Sequence, residues 1–348
     1  MSNAGPSGAL APSRSRTGVG VRIAGTGIAV PARTMTNTDL EKVMDTSDEW
    51  IRQRTGIHTR HIVDSANGET VLHLALPALR NALADAKLEA QSLDLILCAT
   101  MCAEMACPPT ACRVAAELGA GNAGAMDLSA ACCGFVYAMN IAHDLIRSGS
   151  YKAIGVIGAD TLSRFLEYST EGRNTAIIFG DAAGAAVLTA CDDPSKGVLA
   201  QAMHADGNGW KEIYTPRTPF DFPPGVTPDP AMYGRVYMNG ATVFKFAVGT
   251  FPGLIQETLD KAGLTAADVD MFVCHQSNAR ILHAARERFG LPEEKLYINI
   301  DRYGNTVAAS VPLCLHELRE SGRVREGQKV MFVAFGGGLT WGSSLWQL

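Results

Sequence analysis

Apolar positions along the chain follow two rhythms. Short unbroken apolar runs, LDLILCAT (93–100), KAIGVIGAD (152–160), VDMFVCHQ (269–276) and KVMFVAFGG (329–337), have the length and composition of buried strands. Between them lie longer stretches with helical spacing, such as LPALRNALADAKL (76–88) and FPGLIQETLDKAGL (251–264). Helices alternating with such runs predict mainly parallel sheets covered on both faces. Two further segments, TAIIFGDAAGAAVLTA (175–190) and the closing GLTWGSSLWQL, each read as two strands around a glycine-rich turn.

The pattern occurs twice. LDLILCAT matches VDMFVCHQ with Asp94 over Asp270 and Cys98 over Cys274, 176 positions apart. CCGFVYAMNIAHDLIRSG (132–149) matches NTVAASVPLCLHELRESG (305–322), 173 apart, with His143, Asp144 and Leu145 over His316, Glu317 and Leu318. Both helices of this second pair close on a glycine, the residue that best accepts a left-handed C-cap. Near-constant offsets over separated blocks predict one duplicated α/β body with halves near 21–195 and 196–348. Residues 1–20, rich in Ser, Gly, Pro and Ala, read as a flexible leader. In this register Cys132 stands opposite Asn305, and His275 follows the strand that matches the one ending at Cys98. Three polar residues of different chemistry thus gather at strand ends and helix starts, where α/β proteins build ligand sites.

Composition narrows the function classes. With 348 residues, 47% of them hydrophobic, the chain can bury a large core. A net charge of -5 gives no general attraction to nucleic acid or to anionic lipid. No run approaches the roughly 20 apolar residues of a membrane span. The nine cysteines are odd in number and scattered, which fits a reducing cytoplasm better than a disulfide scaffold. Cys102, Cys107 and Cys112 lie five apart, without the close pairs typical of zinc sites, so no metal is expected.

Cys132 sits where AMDLS turns into an apparent helix, a place whose unpaired backbone N–H groups favour a thiolate. Gly134 lets the chain turn tightly there. Its neighbour Cys133 reads as a small packing residue. Taken singly, His275 also fits a hydrogen-bonded core histidine and Asn305 a helix cap. Together, a Cys, a His and an Asn without an acidic base fit covalent thioester chemistry. The thiolate takes an acyl group, and two N–H donors hold the oxyanion left by decarboxylation. Gly336, Gly337 and Gly338 offer backbone N–H groups for a second oxyanion site.

The chain resembles the beta-ketoacyl-acyl carrier protein synthase III family, thiolase-like condensing enzymes that begin type II fatty acid synthesis. The resemblance runs from about residue 22 to the C-terminus through NTDLEKVMDTSDEWIRQRTGI (37–57), DLSAACCGF (127–135), GRNTAIIFGDAAGAAVL (172–188), MNGATVFKFAV (238–248), HQSNARI (275–281), GNTVAASVP (304–312) and FGGGLTWGSSL (335–345). It implies a layered α-β-α-β-α thiolase-like fold and a cytoplasmic homodimer without a cofactor, with acyl-CoA and malonyl-acyl carrier protein as substrates. It implies Cys132 as nucleophile, His275 and Asn305 as the decarboxylation pair, and the N–H groups of Cys132 and Gly337 as the oxyanion hole. Coenzyme A would meet Thr46, Trp50, Arg173, Phe244 and Asn278. Lys245 and Arg280 would face an acidic carrier protein. Cys107 stands where the family commonly has an aromatic residue that reaches the partner subunit's acyl pocket, so a longer or branched primer is expected. Other readings of the same residues are a starter enzyme of a polyketide or quinolone-type pathway and, from a different class, a cysteine-rich redox or metal-binding protein.

Overall fold

The structure, a computed structural model, describes residues 18–348. Most of the expected leader lies outside the described residues, and Gly20 already opens the first strand. The first half contributes strands β1 (Gly20–Ala29), β2 (Leu95–Ala99), β3 (Gly124–Leu128), β4 (Ala153–Asp160) and β5 (Ala182–Cys191). The second contributes β6 (Gly197–Ala205), β7 (Met271–Cys274), β8 (Lys329–Gly336) and β9 (Thr340–Gln347). Seven helices matter here: α1 (Asp48–Thr55), α2 (Val71–Ala86), α3 (Thr110–Leu118), α4 (Gly134–Arg147), α5 (Gly240–Ala262), α6 (Ala279–Arg288) and α7 (Ser310–Glu320).

The two sheets share one topology. The first runs β1-β5-β4-β2-β3, its first two pairings antiparallel and the next two parallel. The second runs β6-β9-β8-β7 with the same sequence of directions, and a parallel bridge from Phe272 to Leu296 takes the place of a fifth strand. Helices α4 and α7 lie between the sheets, where Phe135, Met139, Leu315 and Leu318 pack among Leu97, Val156, Val273 and Phe332. Outside, α2 and α3 cover the first sheet through Leu79, Leu83 and Val114 against Ile96, Ile157 and Val187. On the far side α5 and α6 cover the second through Phe251, Leu254 and Leu282 against Phe272, Met331 and Leu345. The result is the five-layer α-β-α-β-α arrangement. It explains why β4 shows no apolar–polar alternation: all eight of its residues are buried, with helices on both faces.

The repeated aspartates have a shared task. The Asp94 carboxylate accepts the Lys152 and Ala153 N–H groups at 2.6 and 2.9 Å, and Asp270 accepts the Lys329 N–H at 2.7 Å. Each fixes the start of the next parallel strand.

Two expectations need correction. The positive-φ residues Ala131 (φ 47) and Val307 (φ 53) mark equivalent turns before α4 and α7, and they lie at the strand offset of 176. Cys132 therefore stands opposite Ala308 and not opposite Asn305. The offset of 173 belongs to the helix ends, because α4 has 14 residues and α7 has 11, about one turn fewer. Secondly, neither glycine-rich segment forms two strands. Arg173–Ala176 is a short helix, and Phe179 makes a single bridge to Asn305 before β5 begins. Thr340–Gln347 is one continuous strand; Gly342 lies inside it because a methyl group there would stand 2.6 Å from the Tyr137 ring. No helix among the described residues is long and apolar enough to cross a membrane.

Candidate active site

Each half presents a sharp elbow to the centre. In the first, the chain leaves β3, passes Ala131 in the left-handed region and enters α4 through a short 3-10 turn that carries Cys132. In the second, Val307 takes the same conformation, which strains a β-branched residue. The central strand of each sheet abuts the other half's elbow through a glycine. A methyl group on Gly336 would stand 2.7 Å from the Cys132 nitrogen, and one on Gly158 would collide with the Ala308 carbonyl oxygen.

A cavity of about 1150 Å³ opens beside the first elbow, and Cys132, His275, Asn305, Gly337, Phe244 and Asn278 all line it. Cys132 keeps part of its surface open. Burial, then the Cys133 thiol and the Asp160 carboxylate, push the Cys132 thiol well above its ordinary value. The helix start was expected to favour the thiolate; the surroundings oppose it and hold the resting thiol protonated near neutral pH. Cys133 is wholly buried in the central layer, its thiol pushed up to about 12 by burial, as expected of a packing residue.

His275 follows β7, its N–H donating to the Val333 carbonyl at 2.8 Å and its ring meeting Phe335 edge to face at 5.5 Å. It is 1% exposed, and burial lowers its pKa to about 3, so the imidazole is neutral at any working pH. Its Nδ1 lies 2.7 Å from the Ser310 hydroxyl. Asn305 is held at its backbone by paired bonds to Ile178 and Gly180, at 2.9 and 3.0 Å. Its side-chain oxygen accepts the Val307 N–H at 2.9 Å. This cap-like bond and the proposed catalytic role are compatible: it fixes the amide orientation and leaves the NH₂ group for the cavity.

The other expected residues separate into an inner and an outer set. Phe244 and Asn278 line the cavity, whereas Thr46, Trp50 and Arg173 lie outside its lining. Asn278 caps α6 by accepting the Arg280 N–H and donates to the Arg54 carbonyl at 2.9 Å, linking the cavity wall to α1. On α1 the Trp50 ring carries two guanidinium groups, Arg54 at 4.7 Å and Arg173 at 5.3 Å. Arg173 is tethered to the Asp45 carbonyl, and the Thr46 hydroxyl is buried without a hydrogen-bond partner. Lys245 and Arg280 are exposed, and Arg280 lies over the cavity-lining Phe244 ring at 5.2 Å. Cys107 is exposed and does not line its own chain's cavity, although Ala106 and Pro109 beside it do.

Two buried residues that support the site from behind the cavity wall were not singled out from sequence. One is Ser310. The other is Asp160 at the end of β4, fully buried, whose carboxylate accepts the Met101 N–H at 2.7 Å and the Ala308 N–H at 3.1 Å. It ties the loop that starts at Met101 to the second elbow, and burial pushes its pKa up to about 7. The repeat offers a signal for Ser310, which occupies the position of Gly134 at the strand offset.

Paired sheets around two buried helices, with opposed elbows facing a shared cavity, define the thiolase fold. Residues 126–207 match the family described as 3-oxoacyl-[acyl-carrier-protein] synthase III, and residues 259–348 match its C-terminal counterpart. Beta-ketoacyl-[acyl-carrier-protein] synthase III 1 of Bacillus anthracis is 45% identical over 323 residues, 93% of this chain and 97% of that protein. The crystal structure of 3-oxoacyl-[acyl-carrier-protein] synthase III from Aquifex aeolicus VF5 is 41% identical and superposes with a TM-score of 0.86, covering 94% of this chain and all of that one. The priming beta-ketosynthase of the R1128 polyketide pathway is 33% identical with a TM-score of 0.86, covering 98% of both chains. The chain belongs to the beta-ketoacyl-acyl carrier protein synthase III family and is an enzyme of that type.

Proposed function

We propose that this enzyme condenses an acyl-CoA primer with malonyl-acyl carrier protein to give 3-oxoacyl-acyl carrier protein, carbon dioxide and coenzyme A, the opening step of type II fatty acid synthesis. The observation that carries this reading is one cavity lined by Cys132, His275 and Asn305 in a chain 45% identical to a named synthase III over nearly its whole length. Cys132 attacks the primer thioester; its S–C bond forms, the bond to coenzyme A breaks, and the coenzyme A thiolate takes up the thiol proton. The N–H groups of Cys132 and Gly337 hold the oxyanion of that step. Malonyl-acyl carrier protein then loses its carboxylate as carbon dioxide, and the electron pair moves onto the thioester oxygen, where His275 and Asn305 donate hydrogen bonds. The enolate carbon attacks the Cys132 thioester and expels the thiolate.

Coenzyme A runs from the cavity past Phe244 and Asn278 to Trp50, Thr46 and Arg173, and needs no further cofactor. Lys245 and Arg280 receive the acidic carrier protein beside the cavity. The nine free thiols support a reducing cytoplasm as the enzyme's location. Two copies associate through the face around β3, an edge strand; nearby Met101, Met105 and Met126 are 46, 44 and 48% exposed. Cys107 then serves the partner's cavity, and its small side chain admits primers longer than acetyl.

Turnover with malonyl-acyl carrier protein and acyl-CoAs from C2 to C8 tests the function. Malonyl-dependent release of carbon dioxide with formation of a 3-oxoacyl carrier protein is expected, and absence of product from every primer contradicts it. A strict acetyl preference overturns the role given to Cys107.

A further inference from the structure

The Ser310 hydroxyl has more partners than it has protons. It lies 2.7 Å from His275 Nδ1 and 3.1 Å from the Val307 carbonyl oxygen, and it accepts the Gln276 N–H at 3.4 Å. The residue is 2% exposed, so water offers little alternative. His275 is neutral because burial depresses its pKa, and a neutral imidazole carries a single N–H. The two hydrogen-bond patterns are therefore exclusive. If the hydroxyl donates to Val307, Nδ1 must carry the imidazole proton, and Nε2 meets the cavity as a bare acceptor. If the hydroxyl turns to donate to Nδ1, Nε2 carries the proton and becomes a donor.

Only the second pattern can hold an enolate oxygen. An Nε2 lone pair aimed at developing negative charge repels it, and protonating the ring instead is disfavoured by its burial. We propose that Ser310 is a positioning residue for decarboxylation: its hydroxyl donates to Nδ1, fixes His275 as the Nε2–H tautomer, and leaves the Val307 carbonyl to other donors. The serine is bound to the second elbow by its own helix, since Val307 opens a 3-10 turn that runs directly into α7, whose first residue is Ser310. The elbow that orients the Asn305 amide through the Val307 N–H thus also sets the imidazole, so both donors to one oxygen are aligned by one turn of backbone. This inference rests on the reading of His275 as an oxyanion donor.

The test compares Ser310→Ala, Ser310→Thr and His275→Ala with the wild type, in full-length protein. ¹⁵N NMR of histidine-labelled enzyme, with His275 assigned from its loss in His275→Ala, reads the tautomer directly. The wild type is expected to hold Nε2–H, and Ser310→Ala to show a mixture of tautomers. Malonyl-acyl carrier protein decarboxylation is expected to fall about tenfold in Ser310→Ala and to recover in Ser310→Thr, while acylation of Cys132 changes much less. A wild-type Nδ1–H tautomer, or unchanged decarboxylation in Ser310→Ala, overturns the proposal. Equal losses of acylation and decarboxylation with a lowered melting temperature also overturn it, since they mark a purely structural serine. If His275→Ala decarboxylates normally, the donor role of His275 itself fails. If only Ser310→Ala does, the failure is confined to the tautomer lock.

Discussion

The elbow at Ala131–Cys132 and the elbow at Val307–Ala308 share a strand topology, a left-handed residue and a glycine contact from the opposite sheet. They differ in what they deliver. The first places a thiol at the cavity, whereas the second places no reactive atom there and instead orients neighbours: Asn305 through the Val307 N–H and His275 through Ser310. The fold thus sets two equivalent frames around one space, and the proposed chemistry uses them differently. On the proposed nucleophile side, burial raises the thiol pKa and suits a neutral acyl thioester better than a thiolate. The donor side keeps a neutral imidazole for the same physical reason, burial.

The largest effect should come from moving the nucleophile across the pseudo-symmetry. Cys132→Ala should abolish condensation, and adding Ala308→Cys at the equivalent position should not restore it, as measured by 3-oxoacyl product formation. Recovery would mean that the elbows are interchangeable. Next, Asn305→Ala should slow malonyl decarboxylation about 10²- to 10³-fold, the usual loss for one oxyanion donor, with acyl transfer to Cys132 retained. Loss of both steps together would show that the second elbow also serves acylation.

The shared geometry predicts shared costs. Gly158→Ala and Gly336→Ala should each destabilise the fold by about 1–3 kcal/mol in denaturant titrations, because the added methyl meets backbone on the opposite elbow. A neutral result for one alone would break the structural equivalence. The last test is one of pH dependence and concerns Asp160, whose carboxylate accepts the Ala308 N–H of the second elbow. Its pKa is raised from 3.8 to about 7 in the fold. The folded state therefore holds the proton more tightly than the unfolded chain, and stability falls as pH rises through that interval. Asp160→Asn should remove this decline, so its urea midpoint relative to wild type should improve from pH 4 to pH 7. A constant difference across that range would place the carboxylate elsewhere than in a buried, protonated state.

The strands, the main helices and the repeated sheet topology were legible because they rest on apolar periodicity and on residues that perform one task twice, Asp94 and Asp270 above all. The register at the site was not. Helix α7 lacks a turn that α4 has, so the best sequence match follows the helix ends, while the geometry of the site follows the elbows; positive φ at Ala131 and Val307 leaves no mark in residue type. The cavity-lining residues of glycine-rich and HQSNARI segments were recognisable by resemblance. Asp160 was not, since a strand-end carboxylate looks ordinary until its partners are known, and Ser310 stands out only at the strand offset, over Gly134. Cys107 was visible as a departure from the family pattern, and in the structure it is exposed and outside its own chain's cavity lining.

The central claim is that the first elbow carries the acyl group and its neighbouring thiol does not. Intact-protein mass spectrometry after incubation with acyl-CoA tests this most directly. The account predicts a single acyl adduct that persists in Cys133→Ala and disappears in Cys132→Ala. An adduct that persists in Cys132→Ala and disappears in Cys133→Ala would contradict it.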